Sequence, residues 1–179
     1  MIAIPQVTTS IYLIGPMGAG KSTLGRHLSQ VLDIPFYDSD KVIVERTGAD
    51  IPWIFDMEGE EGFRRREEEV IDELTQKHTI ILATGGGAIT RAVNRERLSQ
   101  RGRVFYLWTP VHVQLARTRH DKNRPLLQTE NPELVLEKLM QERHPLYEST
   151  AHHTISTAAG NLNQVTEQLL ACLKDGSSS

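Results

Sequence analysis

The chain has 179 residues, 39% of them apolar and 24% charged, with a net charge of −3. That is enough apolar material for one core, which excludes a disordered chain and leaves no room for a second large domain. The mild negative charge excludes whole-surface attraction to nucleic acid or an anionic membrane, and the single cysteine, Cys172, excludes an internal disulfide or a cysteine-based zinc site.

Short, nearly unbroken apolar runs at 11–14, 79–83 and 104–108 predict parallel strands covered on both faces, with weaker strands at 35–37 and 154–156. The run 11–14 is too short for an export leader or a membrane span, so a reducing cytoplasm is the expected location. Helical spacing predicts helices at 21–32, 40–47, 60–76, 91–101, 110–119, 132–147 and 162–173. Thr109 before Pro110 and Asn131 before Pro132 read as capping residues ahead of a first-turn proline. The segment 120–131 breaks both periodicities and reads as a surface loop long enough to be a lid, and the tail 175–179 has nothing to bury. Alternating strands and helices predict a three-layer α/β/α domain spanning 1–179, with a parallel sheet.

Gly15-Pro16-Met17-Gly18-Ala19-Gly20-Lys21-Ser22 is a complete phosphate-binding loop between a predicted strand and a predicted helix. Backbone N–H groups of Gly18, Ala19 and Gly20 would cradle the phosphates of ATP. Lys21 would reach the β- and γ-phosphates, Ser22 would hold Mg²⁺, and Thr23 is a further phosphate contact. The apolar strand at 79–83 runs into Thr84-Gly85-Gly86-Gly87 where many such proteins carry a metal-linked aspartate. No guanine-reading Asn-Lys-x-Asp segment occurs, which counts against a GTPase switch.

Three further clusters are open to two readings each. Asp38-Ser39-Asp40 ends a predicted strand on the same sheet edge as the phosphate loop, and either caps the next helix or serves metal and acceptor. Arg64-Arg65-Arg66 followed by Glu67-Glu68-Glu69 is either a solvated helix face or a face turned to a ligand. Gly85-Gly86-Gly87 is either a tight connection or a place where backbone approaches a ligand closely. Arg supplies 14 of the 20 basic residues, and its planar fork suits carboxylate and phosphate, so small anions are the expected ligands. His152 and His153 read as surface or edge residues, and Cys172 as a small apolar residue of the last helix.

The chain resembles the shikimate kinase family. The phosphate loop, Asp38-Ser39-Asp40, Gly59-Glu60-Glu61-Gly62-Phe63-Arg64, Gly85-Gly86-Gly87, Arg124-Pro125-Leu126-Leu127 and Arg143-His144-Pro145-Leu146-Tyr147 stand in that family's order and spacing across residues 11–147. The resemblance implies a five-stranded parallel sheet of the nucleoside-monophosphate-kinase type and conversion of shikimate and Mg-ATP to 3-phosphoshikimate and ADP, with one Mg²⁺ per ATP. It implies that Asp40 binds the acceptor hydroxyls, that Arg64, Gly86 and Arg143 hold the substrate, and that Asp38 holds Mg²⁺ through water. It further implies that Arg124 closes over the phosphates, Arg117 stacks on adenine, Glu67 orients Arg64, and Phe55 and Phe63 line the apolar side of the ring. Lys21, Asp40 and Arg124 are the expected catalytic groups, in a cytoplasmic monomer without nucleic-acid or membrane partners. Ser156 and Gly160 depart from the Arg and Gln that some relatives carry near the nucleotide. Two rivals share the loop and sheet: a kinase acting on gluconate or a nucleoside monophosphate, and a nucleotide-binding regulatory module without chemistry.

Overall fold

Five parallel strands form the middle layer in the computed structural model, which describes residues 4–158 and 160–175. They are β1 (Ile11–Ile14), β2 (Phe36–Asp38), β3 (Ile81–Ala83), β4 (Arg103–Trp108) and β5 (His153–Ser156), in the spatial order β2-β3-β1-β4-β5. Seven α-helices accompany them among the described residues, six between strands and one after β5: α1 (Lys21–Leu32), α2 (Ser39–Thr47), α3 (Ile51–Thr75), α4 (Ala92–Arg101), α5 (Val111–Thr118), α6 (Pro132–Thr150) and α7 (Leu162–Asp175). Side chains alternate across each strand, so Tyr12, Leu82 and Tyr106 join the core under α3, α4 and α6, while Leu13, Ile81 and Phe105 join the core under α1 and α7. The three-layer α/β/α expectation holds.

Several boundaries differ from the sequence reading for identifiable reasons. Strand 79–83 shortens at its start because Thr79 adopts φ 41°, outside the strand region. Thr109 does not cap a helix. Pro110 occupies the cap position of α5, and the buried Thr109 hydroxyl instead meets the Thr157 hydroxyl at 2.6 Å. Asn131 does cap α6, accepting from the Leu134 N–H at 3.3 Å. The largest difference is the nine residues, 51–59, ahead of 60–76. Asp50 caps a turn beginning at Ile51, its side chain accepting from the Trp53 N–H at 2.9 Å, and the chain then runs as helix through a kink at Gly59. Gly59 sits at φ 72°, ψ 176°, which a residue with a Cβ rarely adopts.

The loop 120–131 contains a 3₁₀ turn, Pro125–Leu127, whose Leu127 is buried against Met17 and Leu136. Helix α7 continues to Asp175, one residue into the expected tail, and 176–179 lie outside the described residues. β5 is an edge strand, and His153 stacks on Phe105 at 5.1 Å while the His152 Nδ1 accepts from the Val104 N–H at 2.9 Å. Cys172 is half-buried against the core under α1 and α7.

Candidate active site

A parallel sheet brings the carboxyl ends of its strands to one edge, and here that edge collects the loops after β1, β2 and β3. The loop after β1 turns around Lys21, whose ammonium donates to the Gly15 and Pro16 carbonyls at 2.7 and 2.8 Å. Burial pulls the pKa of Lys21 down to about 7, with the Arg124 charge adding to the effect and Asp40 and Asp38 opposing it. The N-terminus of α1 opens directly behind Gly20, so its unpaired N–H groups and positive dipole end face the same space.

At the end of β2 the capping reading of Asp38-Ser39-Asp40 holds, and it falls to Asp38. Asp38 caps α2, its Oδ1 accepting from the N–H groups of Asp40 and Lys41 at 3.0 and 3.3 Å, and its Oδ2 accepts from the Ser22 hydroxyl at 2.5 Å. Ser39 is fully buried and accepts from the Gly85 N–H at 3.2 Å, which ties the second loop to the third. Asp40 is thereby left for other work: its Oδ1 is buried without a hydrogen-bond partner, and its Oδ2 lies 3.8 Å from the Arg124 guanidinium. Burial raises its pKa, the Asp38 charge adds to the rise, and Arg124, Lys21 and Arg64 oppose it.

The charged run on α3 splits by face. Arg65 and Arg66 are exposed, whereas Arg64 and Glu67 are buried and paired at 2.9 Å. Arg64 lies over the Phe63 ring at 5.4 Å, and Phe63 packs on Phe55 at 5.0 Å across the Gly59 kink. The Arg64 Nε and the Glu67 Oε2 have no partner, so together with the Asp40 Oδ1 three buried polar atoms remain unsatisfied in this region. Burial pushes Glu67 up to about 7, against the opposing charge of Arg64.

At Gly85 and Gly87 side chains from α2 and α3 come too close for a Cβ, whereas a Cβ at Gly86 would meet only ordinary contacts, the nearest the Met17 backbone nitrogen at 3.4 Å. One at Gly85 would stand 2.8 Å from both the Asp40 Oδ1 and the Glu67 Oε2, and one at Gly87 would stand 2.2 Å from the Arg64 Nη2. The crowding comes from the protein's own Asp40, Glu67 and Arg64 side chains, and it is what requires glycine at 85 and 87. Arg143, buried on α6, completes the wall beside Gly86. Asp40, Arg64, Gly86, Arg124 and Arg143 thus line one cavity with Phe55 and Phe63 as its apolar side. Its lining also includes Met17 and Ile51, which the sequence reading did not single out. The cap Asp50 and the first-turn Pro52 were the available signal for Ile51.

A second cavity of about 380 Å³ opens on the other side of the phosphate loop, lined by Gly18, Ala19, Gly20, Thr23 and Arg117 and closed by residues of α7. Arg117 is held there by two backbone carbonyls, Gly18 at 2.9 Å and Thr157 at 3.0 Å. Gly160 lines this cavity, whereas the Ser156 hydroxyl accepts from the Ala158 N–H at 3.4 Å. Ser22 and Asp38 offer hard oxygen donors in a third cavity, which they line together with Asp40 and Arg124. No group of three or more His, Cys, Asp or Glu side chains suited to a metal occurs among the described residues. A cation here would thus take most of its ligands from phosphate and water, which fits Mg²⁺.

The profile of the shikimate kinase family matches residues 17–174. The chain belongs to the shikimate kinase family. A shikimate kinase of Vibrio parahaemolyticus serotype O3:K6 (strain RIMD 2210633) is 58% identical over 166 residues, covering 93% of this chain and 96% of that one. The solved structure of the shikimate kinase from Acinetobacter baumannii in complex with shikimate superposes with a TM-score of 0.94 at 53% identity, covering 97% of each chain. That of the Aquifex aeolicus shikimate kinase superposes at 0.82 with 34% identity, covering 95% of this chain and 99% of that one. As a shikimate kinase family member, the chain is a kinase with ATP as co-substrate, and its fold is that of its solved relatives.

Proposed function

We propose that the chain transfers the γ-phosphoryl group of ATP to the 3-hydroxyl of shikimate, giving 3-phosphoshikimate and ADP, a step of chorismate and aromatic amino acid biosynthesis. The observation that carries this reading is one cavity with an unpartnered Asp40 oxygen on its phosphate-loop side and Arg64 and Arg143 on its wall. A small polyhydroxylated acid matches that division: hydroxyls toward Asp40, the carboxylate toward Arg64, Arg143 and the Gly86 backbone, and the ring against Phe55 and Phe63. The carboxylate of Glu67 orients Arg64 through their buried pair.

The nucleotide takes the second cavity, with its phosphates on Gly18, Ala19, Gly20, Ser22 and Thr23 and its adenine against Arg117. The Ser22 hydroxyl, and Asp38 through water, hold Mg²⁺, which when bound neutralises phosphate charge. Phosphoryl transfer is mainly alignment and charge stabilisation. Asp40 orients the acceptor hydroxyl, whose oxygen bonds to the γ-phosphorus as the bond to the β–γ bridging oxygen breaks and ADP leaves. The raised pKa of Asp40 suits it to accept the hydroxyl proton. Lys21 and Arg124 stabilise the charge that develops on the phosphoryl oxygens.

The cytoplasm is the proposed location and a monomer the proposed state; the lone cysteine suits a reducing compartment, and the net charge of −3 speaks against nucleic-acid or membrane partners. No helix among the described residues is long and apolar enough to cross a membrane. A coupled ADP-release assay with Mg-ATP tests the reading by comparing shikimate, gluconate, AMP and no acceptor. Release that depends on shikimate alone is expected. Turnover with gluconate or AMP in its place would overturn the acceptor assignment, and ATP binding without acceptor-dependent release would overturn the kinase assignment.

A further inference from the structure

Each carbonyl of Gly85-Gly86-Gly87 is tied back into the protein. The Gly85 carbonyl accepts from the Ala88 N–H at 3.2 Å, and the Gly87 carbonyl accepts from the Thr90 N–H at 3.1 Å and the Thr90 hydroxyl at 2.6 Å. Those contacts are local to the 3₁₀ turn Ala88–Thr90. The Gly86 carbonyl is different: it accepts from the hydroxyl of Tyr147, 61 residues away on α6, at 2.5 Å. The Gly85 N–H is used by Ser39, whereas the N–H groups of Gly86 and Gly87 make no hydrogen bond among the described residues. With every carbonyl engaged, these two N–H groups are the loop's free donors, on the wall that also carries Arg64 and Arg143. Two free adjacent N–H groups are a recurring anion-binding arrangement.

We infer that Tyr147 is a positioning residue for the acceptor site: its hydroxyl locks the Gly86 peptide so that the loop presents N–H groups rather than a carbonyl to the substrate carboxylate. Without that lock, rotation of the peptide between Gly86 and Gly87 would bring a carbonyl oxygen toward an anion and withdraw a donor. The Tyr147 ring is fixed for this purpose. It is 1% exposed and stacks on Tyr106 at 4.8 Å, and the Tyr106 hydroxyl is itself held by the His144 Nδ1 at 2.8 Å. Burial pushes the Tyr147 phenol up to about 12, so it stays a neutral donor, although the Arg143 guanidinium beside it pulls the other way. Arg143 lies one helical turn before Tyr147, so a single turn of α6 supplies both a charged wall and the lock on the neutral one.

This inference rests on the reading that Gly86 and Arg143 hold the substrate carboxylate, and the test separates the two. Steady-state kinetics compare wild type with Tyr147→Phe, which keeps the ring stack and removes only the hydroxyl, using shikimate and its methyl ester. Wild type is expected to raise its KM sharply for the ester. Equal use of acid and ester by wild type would overturn the carboxylate reading itself. Tyr147→Phe is expected to raise the KM for shikimate about tenfold, the loss of one well-placed hydrogen-bond donor, while the KM for ATP stays unchanged. The penalty is expected to vanish with the ester. A Tyr147→Phe enzyme whose shikimate KM matches wild type, or whose penalty is the same for acid and ester, would overturn the positioning role. Incorporation of 4-aminophenylalanine at 147 restores a donor and is expected to recover the shikimate KM. If that protein folds and Tyr147→Phe does not, the hydroxyl is a stability element and the inference fails.

Discussion

Replacing Glu67 with Gln tests how burial and pairing compete at the acceptor site. Glu67 is fully buried, and burial pushes its pKa to about 7 from the ordinary 4.5 even though Arg64 sits 2.9 Å away. A carboxyl whose folded pKa exceeds its unfolded value keeps a proton in the native state that the unfolded chain has released. Stability from this group is therefore fully present below about pH 4.5 and is lost as pH rises through about 7. A span of about 2.5 pH units at ~1.36 kcal/mol per unit amounts to about 3 kcal/mol, as an order of magnitude. Glu67→Gln keeps an acceptor for Arg64 and cannot titrate. The assay is urea unfolding at pH 4, 5, 6, 7 and 8, followed by the fluorescence of Trp53 and Trp108, with the stability difference between the two proteins plotted against pH. Taking the difference removes, to first approximation, titrations that both proteins share. Wild type is expected to lose about 3 kcal/mol relative to Glu67→Gln across that range. A flat difference would refute the argument, because Glu67 would then titrate alike in the folded and unfolded chain, with Arg64 offsetting burial in full. A difference that grows in favour of wild type would reverse the sign and refute it more strongly.

Lys21→Ala is expected to lower turnover at least ~100-fold in the ADP-release assay, the size of a charge-stabilising contact in such sites, and retained turnover in a clean preparation would remove Lys21 from that role. Arg64→Ala is expected to weaken shikimate binding by calorimetry at least ~10-fold with ATP binding unchanged, since a charge-assisted contact to the carboxylate is lost; equal shikimate affinity would exclude Arg64 from the acceptor site. Gly102→Ala, on the opposite edge of the sheet, places a Cβ 2.5 Å from the buried Tyr12 ring and 2.8 Å from the Ser10 carbonyl oxygen. It is expected to cost about 1–3 kcal/mol in urea unfolding with both KM values unchanged, and wild-type stability would show that this corner can relax.

The strands were legible because they are short and apolar, and the phosphate loop because its residues do one job at a fixed spacing. The charged run Arg64 to Glu69 was not legible by periodicity, since alternating signs look the same on a solvated helix as on one buried side. Only burial separates Arg64 and Glu67 from Arg65 and Arg66. Residues 51–58 escaped because Gly59 interrupts the helical spacing and exposed Trp53 and Met57 blur its apolar face, although Asp50 and Pro52 mark its start. Thr109 misled for a different reason: Thr157 on a distant segment competes for its hydroxyl, and nothing local reports that. The lock between Tyr147 and Gly86 was equally out of reach, because a residue type does not reveal a partner 61 positions away.

The strand order β2-β3-β1-β4-β5 has an evolutionary consequence. On the proposed assignment of the two cavities, β1 and its loop form a seam, with acceptor-facing segments hung mainly from β2 and β3 and nucleotide-facing ones from β4 and β5. Changes on the two flanks share few contacts, so their effects should combine almost independently. A lineage can then remodel α2, α3 and the triglycine turn to suit a new small molecule while inheriting the energy-donor half intact. Residues 123–126 of the lid and Arg143 are the exceptions, reaching the proposed acceptor cavity from beyond β4, and any such change of diet has to be negotiated with them.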